Sequence, residues 1–324
     1  MKLAEIANQL NSDIKKNNRF ILFPHVMADG DAVGCCIALA KYLQVIKKDV
    51  IILMEEKIPS VYMFMNEGID IQIYDESKKY EYEVCIALDT GDINRLGKRQ
   101  GIYLSSITYN IDHHKTNNEY GLYNYIDCDA SSVGEILFYL MKQMGVRIDH
   151  DMAQGIYVAI STDTGGFRYQ NTNKKCFEIS AELMDTGIDI QKISEWVFEK
   201  TNLKKLRLYE STIQNIKIYF NGKVALSSIR YDEYKSLDVT DEDFEGLVNI
   251  VKNIDGVDVG VFVRDRDNGE VKVNLRSNVD MVDVSLIACE NNGGGHTRAA
   301  GFVSTKSTGE VCKLIMKSLE KYYQ

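Results

Sequence analysis

In Thr108-Tyr109-Asn110-Ile111-Asp112-His113-His114 an apolar run stops at one carboxylate and two adjacent imidazoles. The run as a whole, residues 102–111, predicts a buried strand. Burying a charge or an unpaired imidazole is costly, so such a cluster at a strand tip requires partners. The chain supplies them in three other places. His25, Asp29 and Asp31 follow a first apolar run, Asp89 and Asp92 follow another, and Asp163 lies in Ser161-Thr162-Asp163-Thr164-Gly165. In an open parallel α/β sheet the strand ends gather along one edge, and chemistry sits there.

The flanking pattern agrees. Residues 1–18 predict a helix with Leu3, Ile6, Ala7, Leu10 and Ile14 on one face. Residues 19–23, 50–54, 71–74 and 84–88 read as strands, and 32–43 as a helix, in βαβ alternation. After His114 the pattern turns helical, over 131–144, 151–160, 173–185, 190–198 and 202–216. The second half is richer in strands. Residues 224–229 form one; Asn268-Gly269 joins two alternating runs as a hairpin. Thr240-x-x-Asp243 resembles a cap before a helix over 244–251, and Ser307-x-x-Glu310 opens the last helix. Between them lie a short helix over 284–289, a loop Asn291-Asn292-Gly293-Gly294-Gly295-His296 and a final strand. The expected organisation is a catalytic domain over 1–187, a helical linker over 188–215 and a smaller domain over 216–324.

With 45% hydrophobic and 26% charged residues the chain is globular in composition. No apolar run reaches the roughly 18 residues of a membrane span. The first residues do not read as an export signal, so a cytoplasmic protein without a membrane partner is expected. Seven cysteines, with no C-x-x-C spacing, speak against a disulfide framework or a zinc knuckle. A net charge of −9 speaks against a stable complex with long DNA or RNA. A polyanionic substrate must then be short, held by a few local cations and by metal.

Carboxylate and neutral imidazole suit manganese, iron, zinc or magnesium. Two ions a few ångströms apart need a bridging carboxylate, and such pairs serve phosphate-ester hydrolysis. Four separated segments supply enough ligands for two. Each motif alone has a plainer explanation. A single aspartate at a strand end is usually a cap, a lone histidine is usually structural, and His150 between Asp149 and Asp151 is read that way. The plain explanations weaken together, because four of the five histidines lie in Asp- or Gly-rich turns after apolar runs.

Taken as a set, His25-Val-Met-Ala-Asp29-Gly-Asp31, Asp89-Thr-Gly-Asp92, Asp112-His113-His114 and Thr162-Asp163-Thr-Gly resemble the four motifs of the DHH phosphoesterase superfamily. Gly293-Gly-Gly-His296 with Ala299-Ala-Gly301 resembles the signature of its DHH-associated C-terminal domain. Length and order look most like the NrnA-type oligoribonuclease and pAp-phosphatase branch. Ala28 stands where the family often has proline, and Cys35 where serine is common. The resemblance implies a Rossmann-like parallel-sheet domain, then a smaller mixed-sheet α/β domain, with a cleft between them. It implies two divalent ions, usually manganese, with magnesium or cobalt as substitutes. His25 and Asp29 would bind the first; Asp31, His113 and Asp163 the second; Asp89 would bridge. His114 would face the scissile phosphate, and Asp112 would orient an imidazole, with Asp92 in a similar supporting role. Gly293, Gly294, Gly295 and His296 would meet the substrate together with Arg276 and Ser277. Arg264 and Arg298 are further candidates that compete with a reading as solvated surface charges.

The implied activity is hydrolysis of short nucleotides: oligoribonucleotides of a few units, pApA, or the 3′,5′-bisphosphate pAp. A homodimer is compatible with it. The alternatives are a cyclic di-AMP phosphodiesterase on the same scaffold, a manganese pyrophosphatase, which usually lacks the glycine-rich loop, and a non-catalytic nucleotide sensor. A RecJ-like enzyme for long strands is disfavoured by charge and by length.

Overall fold

The computed structural model describes residues 1–323. It divides into two compact units, Met1–Lys200 and Thr201–Gln324. Among the described residues no helix is long and apolar enough to cross a membrane.

The first unit runs α1 (Leu3–Lys16), β1 (Arg19–Phe23), α2 (Gly30–Val45), β2 (Asp49–Met54), β3 (Asp70–Ile73), β4 (Val84–Leu88), α3 (Gln100–Tyr103), β5 (Ile107–Asp112) and β6 (Tyr123–Ile126). Helices α4 (Val133–Gln143), α5 (His150–Asp163), α6 (Lys174–Met184) and α7 (Ile190–Ser194) follow. All six strands are parallel, in the order β3-β2-β1-β4-β5-β6. Strand β4 is buried throughout, as is β1 after Arg19, because both sheet faces are covered. Ile6, Leu39, Leu137 and Ile156 pack on one face; Phe23, Leu53, Leu96 and Tyr103 pack on the other. The direction of winding reverses between β1 and β4, which puts a crevice outside their carboxyl ends.

Three local readings change. The strand expected over 102–111 begins only at Ile107, because Ile102 and Tyr103 belong to a helical turn. Tyr103 is apolar cover for the sheet, and its hydroxyl donates to Tyr109 O at 3.0 Å. Strand β6, unforeseen, is four half-buried residues on the sheet edge. The helix expected over 190–198 ends at Ser194 and continues as one π turn, Glu195–Glu199.

Helices α2 and α5 cross backbone to backbone. A Cβ on Gly34 would lie 2.4 Å from Gly155 O, and one on Gly155 would lie 2.6 Å from Gly34 O. That closeness sets the C-terminus of α5 beside the N-terminus of α2.

The second unit runs α8 (Leu203–Gln214), β7 (Ile216–Tyr219), β8 (Val224–Ile229), α9 (Tyr231–Tyr234), α10 (Leu247–Lys252), β9 (Val259–Asp265), β10 (Val271–Ser277), α11 (Val284–Cys289), β11 (Gly294–His296), β12 (Ala299–Ser304) and α12 (Thr308–Glu320). Its sheet order is β11-β12-β10-β9-β8-β7, antiparallel except for β8 with β9. One face packs Val261, Val273 and Phe302 against Ile287 and Ile315. On the other, Leu208 of α8 and Val248 of α10 cover Phe262. So α8 is built into this unit. The helix expected up to residue 216 stops at Gln214, and Ile216 opens edge strand β7. The Thr240–Asp243 cap closes a 3-10 turn, Asp241–Phe244, rather than a helix, because Gly246 breaks the chain at φ +82° before α10 starts. The glycine-rich loop also contributes a strand, β11, paired with β12.

Candidate metal centre

His25 lies in the turn after β1, and its Nδ1 is 2.8 Å from Val26 O. Asp29 caps α2, accepting from Asp31 N and Ala32 N. Asp31, in the first turn of α2, is 1% exposed. It accepts from Val133 N (2.7 Å) and Gly134 N (2.9 Å) at the start of α4, and from the buried Cys35 thiol (3.3 Å). Asp89 follows β4 directly. Its N–H donates to Ile111 O at 3.1 Å, and its backbone is left-handed at φ +56°. Asp112 ends β5 and leads into His113 and His114. Asp163 is the last residue of α5, and Asn171 Nδ2 donates to its Oδ2 at 3.0 Å.

These side chains converge. His25 Nε2 lies 3.6 Å from both Asp29 Oδ1 and Asp89 Oδ2. The other oxygen of Asp89 lies 3.6 Å from His113 Nε2 and 3.6 Å from His114 Nδ1. His113 Nε2 is 3.9 Å from Asp163 Oδ2. Such separations exceed a hydrogen bond and suit donors arranged around an ion at about 2.0–2.2 Å. Three groups have donor atoms within 4.8 Å of one another: His25, Asp29 and Asp89; Asp89, His113 and His114; Asp31, His113 and Asp163. Asp89 belongs to two of them, with one oxygen toward each.

Electrostatics match a cation site. Burial pushes the Asp31 carboxyl well above its ordinary range, and the charges of Asp89, Asp163 and Asp29 push it further. Burial likewise lifts Asp163, against His113, to about 7. Burial would lower His25, but Asp29 and Asp89 raise it to about 10. Asp89 Oδ1 is buried without a hydrogen-bond partner. An unmet buried acceptor costs about 1–3 kcal/mol, and a cation between Asp89 and the imidazoles would satisfy it. The hard oxygen and imidazole donors present fit a pair of divalent ions.

Beneath these side chains lies a polar layer. His113 Nδ1 is 3.3 Å from Ala130 O, which leaves Nε2 toward the carboxylates. His114 Nδ1 bonds Asp112 Oδ1 at 2.8 Å, and Asn117 Nδ2 donates to Asp112 Oδ2 at 2.6 Å. Asn117 also donates to Asn110 Oδ1 (2.8 Å), and Tyr120 OH donates to Thr90 O (3.0 Å). Of this layer the sequence reading had only Asp112. Asn110 carried a signal, being a polar residue inside an apolar strand; Asn117 and Tyr120 carried none. Asp92 is a correction. It caps the 3-10 turn Ile93–Arg99 by accepting from Asn94 N (2.7 Å), and it accepts from Asn118 Nδ2 (3.1 Å). Its oxygens are engaged there by Asn94 and Asn118, and among the described residues it bonds none of His25, His113 and His114.

In the second unit, His296, Ala299, Arg276 and Gly260 form one row across β11, β12, β10 and β9 and share a sheet face. A Cβ on Gly293 would lie 2.3 Å from Gly301 O, and Gly295 sits at φ +141°, whereas Gly294 is open. Lys252, which the sequence reading missed, ends α10 directly over Gly260: a Cβ there would meet Lys252 Cα at 2.6 Å. Burial lowers the Lys252 ammonium, and the charges of Arg276 and Arg298 lower it further. Three expected substrate residues are otherwise engaged. Ser277 Oγ donates to Val279 O at 2.8 Å, and Arg298 pairs with Asp280 at 2.5 Å. Arg264 is buried, paired with Asp241 at 2.5 Å and stacked 3.9 Å over Phe244. It is four residues along β9 from Gly260, about 13 Å away, in a separate cavity of about 420 Å³.

Residues 19–160 match the DHH family N-terminal domain, and residues 221–324 match the DHHA1 domain. The chain belongs to the DHH family, in the form that carries both domains. Within it, the chain is similar to the bifunctional oligoribonuclease and PAP phosphatase NrnA of Thermus thermophilus, 27% identical over 286 residues (86% of this chain, 81% of that one). It is also 27% identical over 299 residues to the Bacillus subtilis protein of the same name (90% and 91%). The crystal structure of an exopolyphosphatase-related protein from Bacteroides fragilis superposes with a TM-score of 0.92 at 29% identity, covering 98% of this chain and 96% of that one.

Proposed function

We propose that the protein is a metal-dependent phosphoesterase that hydrolyses short nucleotides: oligoribonucleotides of a few units, pApA and pAp. The observation that carries this is Asp89, whose two oxygens face two separate imidazole sets while one of them lacks a hydrogen bond. The names of the NrnA relatives support the substrate class, and their similarity favours linear over cyclic dinucleotides. His25 and Asp29 would hold one divalent ion, manganese in this reading, and Asp31, His113 and Asp163 the other, with Asp89 shared. When bound, the ions polarise the phosphoryl group and lower the pKa of water. In the metal-free chain His114 is protonated at neutral pH. Burial opposes this, but its bond to Asp112 and the charge of Asp89 raise it to about 9. It can therefore donate to a phosphoryl oxygen where charge gathers. Asp112, fixed by Asn117, keeps that ring oriented. Arg276, Lys252 and His296, on the face of the second unit with the open Gly294, would hold a phosphate or a base.

The test is a manganese-dependent assay over pAp, pApA, cyclic di-AMP, pyrophosphate and 5′-phosphorylated oligomers of graded length, with Asp89→Ala alongside. The variant is expected to keep its fold, lose metal uptake and drop in rate by about 10³-fold or more. Retention of more than a few per cent of the rate would remove the shared-ligand role. Preference for pyrophosphate or the cyclic substrate would displace the substrate assignment.

A further inference from the structure

The turn that follows Asp89 brings a cation to the centre. Arg95 lies in the 3-10 turn Ile93–Arg99. Its carbonyl accepts from Val26 N at 2.8 Å, which ties it to the His25 loop. Asp92 caps the turn from one side. From below, Glu55 accepts from Lys98 N at 3.2 Å and pairs with the fully buried Arg99 at 3.3 Å. The backbone of Arg95 is thereby anchored to β2 and to the loop after β1. Its side chain is exposed, and among the described residues it forms no ion pair with a carboxylate. Its Nη2 instead sits 2.9 Å from His25 Nδ1.

That nitrogen has two neighbours with opposite demands. Val26 O, 2.8 Å away, can only accept, and the guanidinium can only donate. One ring nitrogen answers one of them at a time. Val26 O, a pure acceptor, is met by a hydrogen on Nδ1 whatever Nε2 faces. Nδ1 then has no lone pair for Arg95. The approach of Arg95 to His25 is then one donor against another, which leaves the guanidinium beside the centre unsatisfied by that ring. A guanidinium presents a planar fork of donors that fits two phosphoryl oxygens at once.

We propose that Arg95 is an anion clamp at the edge of the centre, its backbone anchored and its guanidinium held beside His25, where it grips the phosphoryl oxygens of a phosphate ester. This rests on the phosphoesterase reading and adds to it the residue that grips the reacting phosphate. The experiment uses the full chain as wild type, Arg95→Ala and Arg95→Lys. Calorimetry first titrates manganese into each protein. The loaded proteins are then titrated with inorganic phosphate and with AMP, and KM and kcat are measured on pAp. Arg95→Ala is expected to bind manganese within about threefold of wild type, because it removes no ligand. It is expected to bind phosphate and AMP at least tenfold more weakly, with part of the loss restored in Arg95→Lys. A tenfold loss of manganese affinity with unchanged phosphate binding would overturn the proposal, leaving Arg95 as a brace for His25. Phosphate binding equal to wild type in Arg95→Ala would overturn it too, even while the wild type hydrolyses pAp and the phosphoesterase reading stands. Should the wild type hydrolyse none of the nucleotide panel, that reading falls separately, and the phosphate titration still decides the clamp.

Discussion

Asp89 concentrates two unfavourable features in one residue, a left-handed backbone and a buried oxygen without a partner. Each costs about 1–3 kcal/mol. They persist because pairing of its N–H with Ile111 O continues the β4–β5 ladder and fixes where the side chain points. Asp241 is the opposite case, a carboxylate with more partners than it needs. Arg264 and Arg266 lie 2.5 and 2.6 Å from it, and Lys272 lies 3.6 Å away. Burial would raise its carboxyl, but Arg264, then Lys272 and Arg266, hold it at about 2. A folded-state value below the unfolded one, about 3.9, means that the carboxylate stabilises the fold above pH 4. That contribution fades as the pH falls through about 2. The carboxylate is 57% exposed, so solvent screening limits it to about 1 kcal/mol. Asp241→Asn is thus expected to lower stability by that amount at pH 7 in urea denaturation. The gap should be unchanged at pH 5 and narrow between pH 4 and 2. A gap that is absent, or the same at every pH, would show that Arg264 is held by Phe244 stacking and not by charge.

At the scale of elements, the centre depends on how closely α2 and α5 approach. Gly34 and Gly155 have no room for a Cβ, and the same crossing brings Thr162 within 2.4 Å of where a Gly30 Cβ would lie. Gly155→Val is expected to cost about 1–3 kcal/mol by overpacking. It should also weaken manganese binding several-fold by moving Asp163 from Asp31, although it touches no ligand. Denaturation and metal titration read the two effects, and a stability loss with unaltered metal affinity would show that the two helix ends move as one. The glycine contact was not legible in sequence, because nothing in a lone glycine says which helix it faces. The buried parallel strands were legible, since cover on both faces forces continuous apolar runs such as Val84–Leu88. The convergence of the motif residues was legible too, because several carboxylates and imidazoles at strand tips have few structural uses as a set, although each alone reads as a cap. The short edge strands β6 and β7 were not, since four half-buried residues owe their conformation to the neighbour they pair with. Ile102 and Tyr103 misled for a related reason: apolar residues on a covering turn look like part of the strand they cover. Arg264 and Asp92 misled because a cation on a strand and an aspartate in a motif read alike whether they meet substrate or pair within the fold.

At the scale of the whole molecule, part of the net charge of −9 is gathered at a single point. Asp29, Asp31, Asp89 and Asp163 come from three segments of the first unit, and the cost of bringing them together depends on what neutralises them. In the metal-free chain protons do so. Burial and like charges hold a proton on Asp31, and Asp163 reaches about 7. His25 is held up at about 10 by its aspartates, against burial. A metal must displace these protons, so its affinity rises with pH. Metal that binds only the folded chain stabilises it by about 2.7 kcal/mol at a hundred times its dissociation constant. Chelator-treated protein is therefore expected to melt higher when manganese is added, with a larger shift at pH 8 than at pH 6 and with protons released in weakly buffered solution. The Asp89→Ala protein should show neither the shift nor the proton release. A manganese shift of the same size at both pH values, with no protons displaced, would mean that the ion sits on surface carboxylates elsewhere, and the three segments would need another reason to meet.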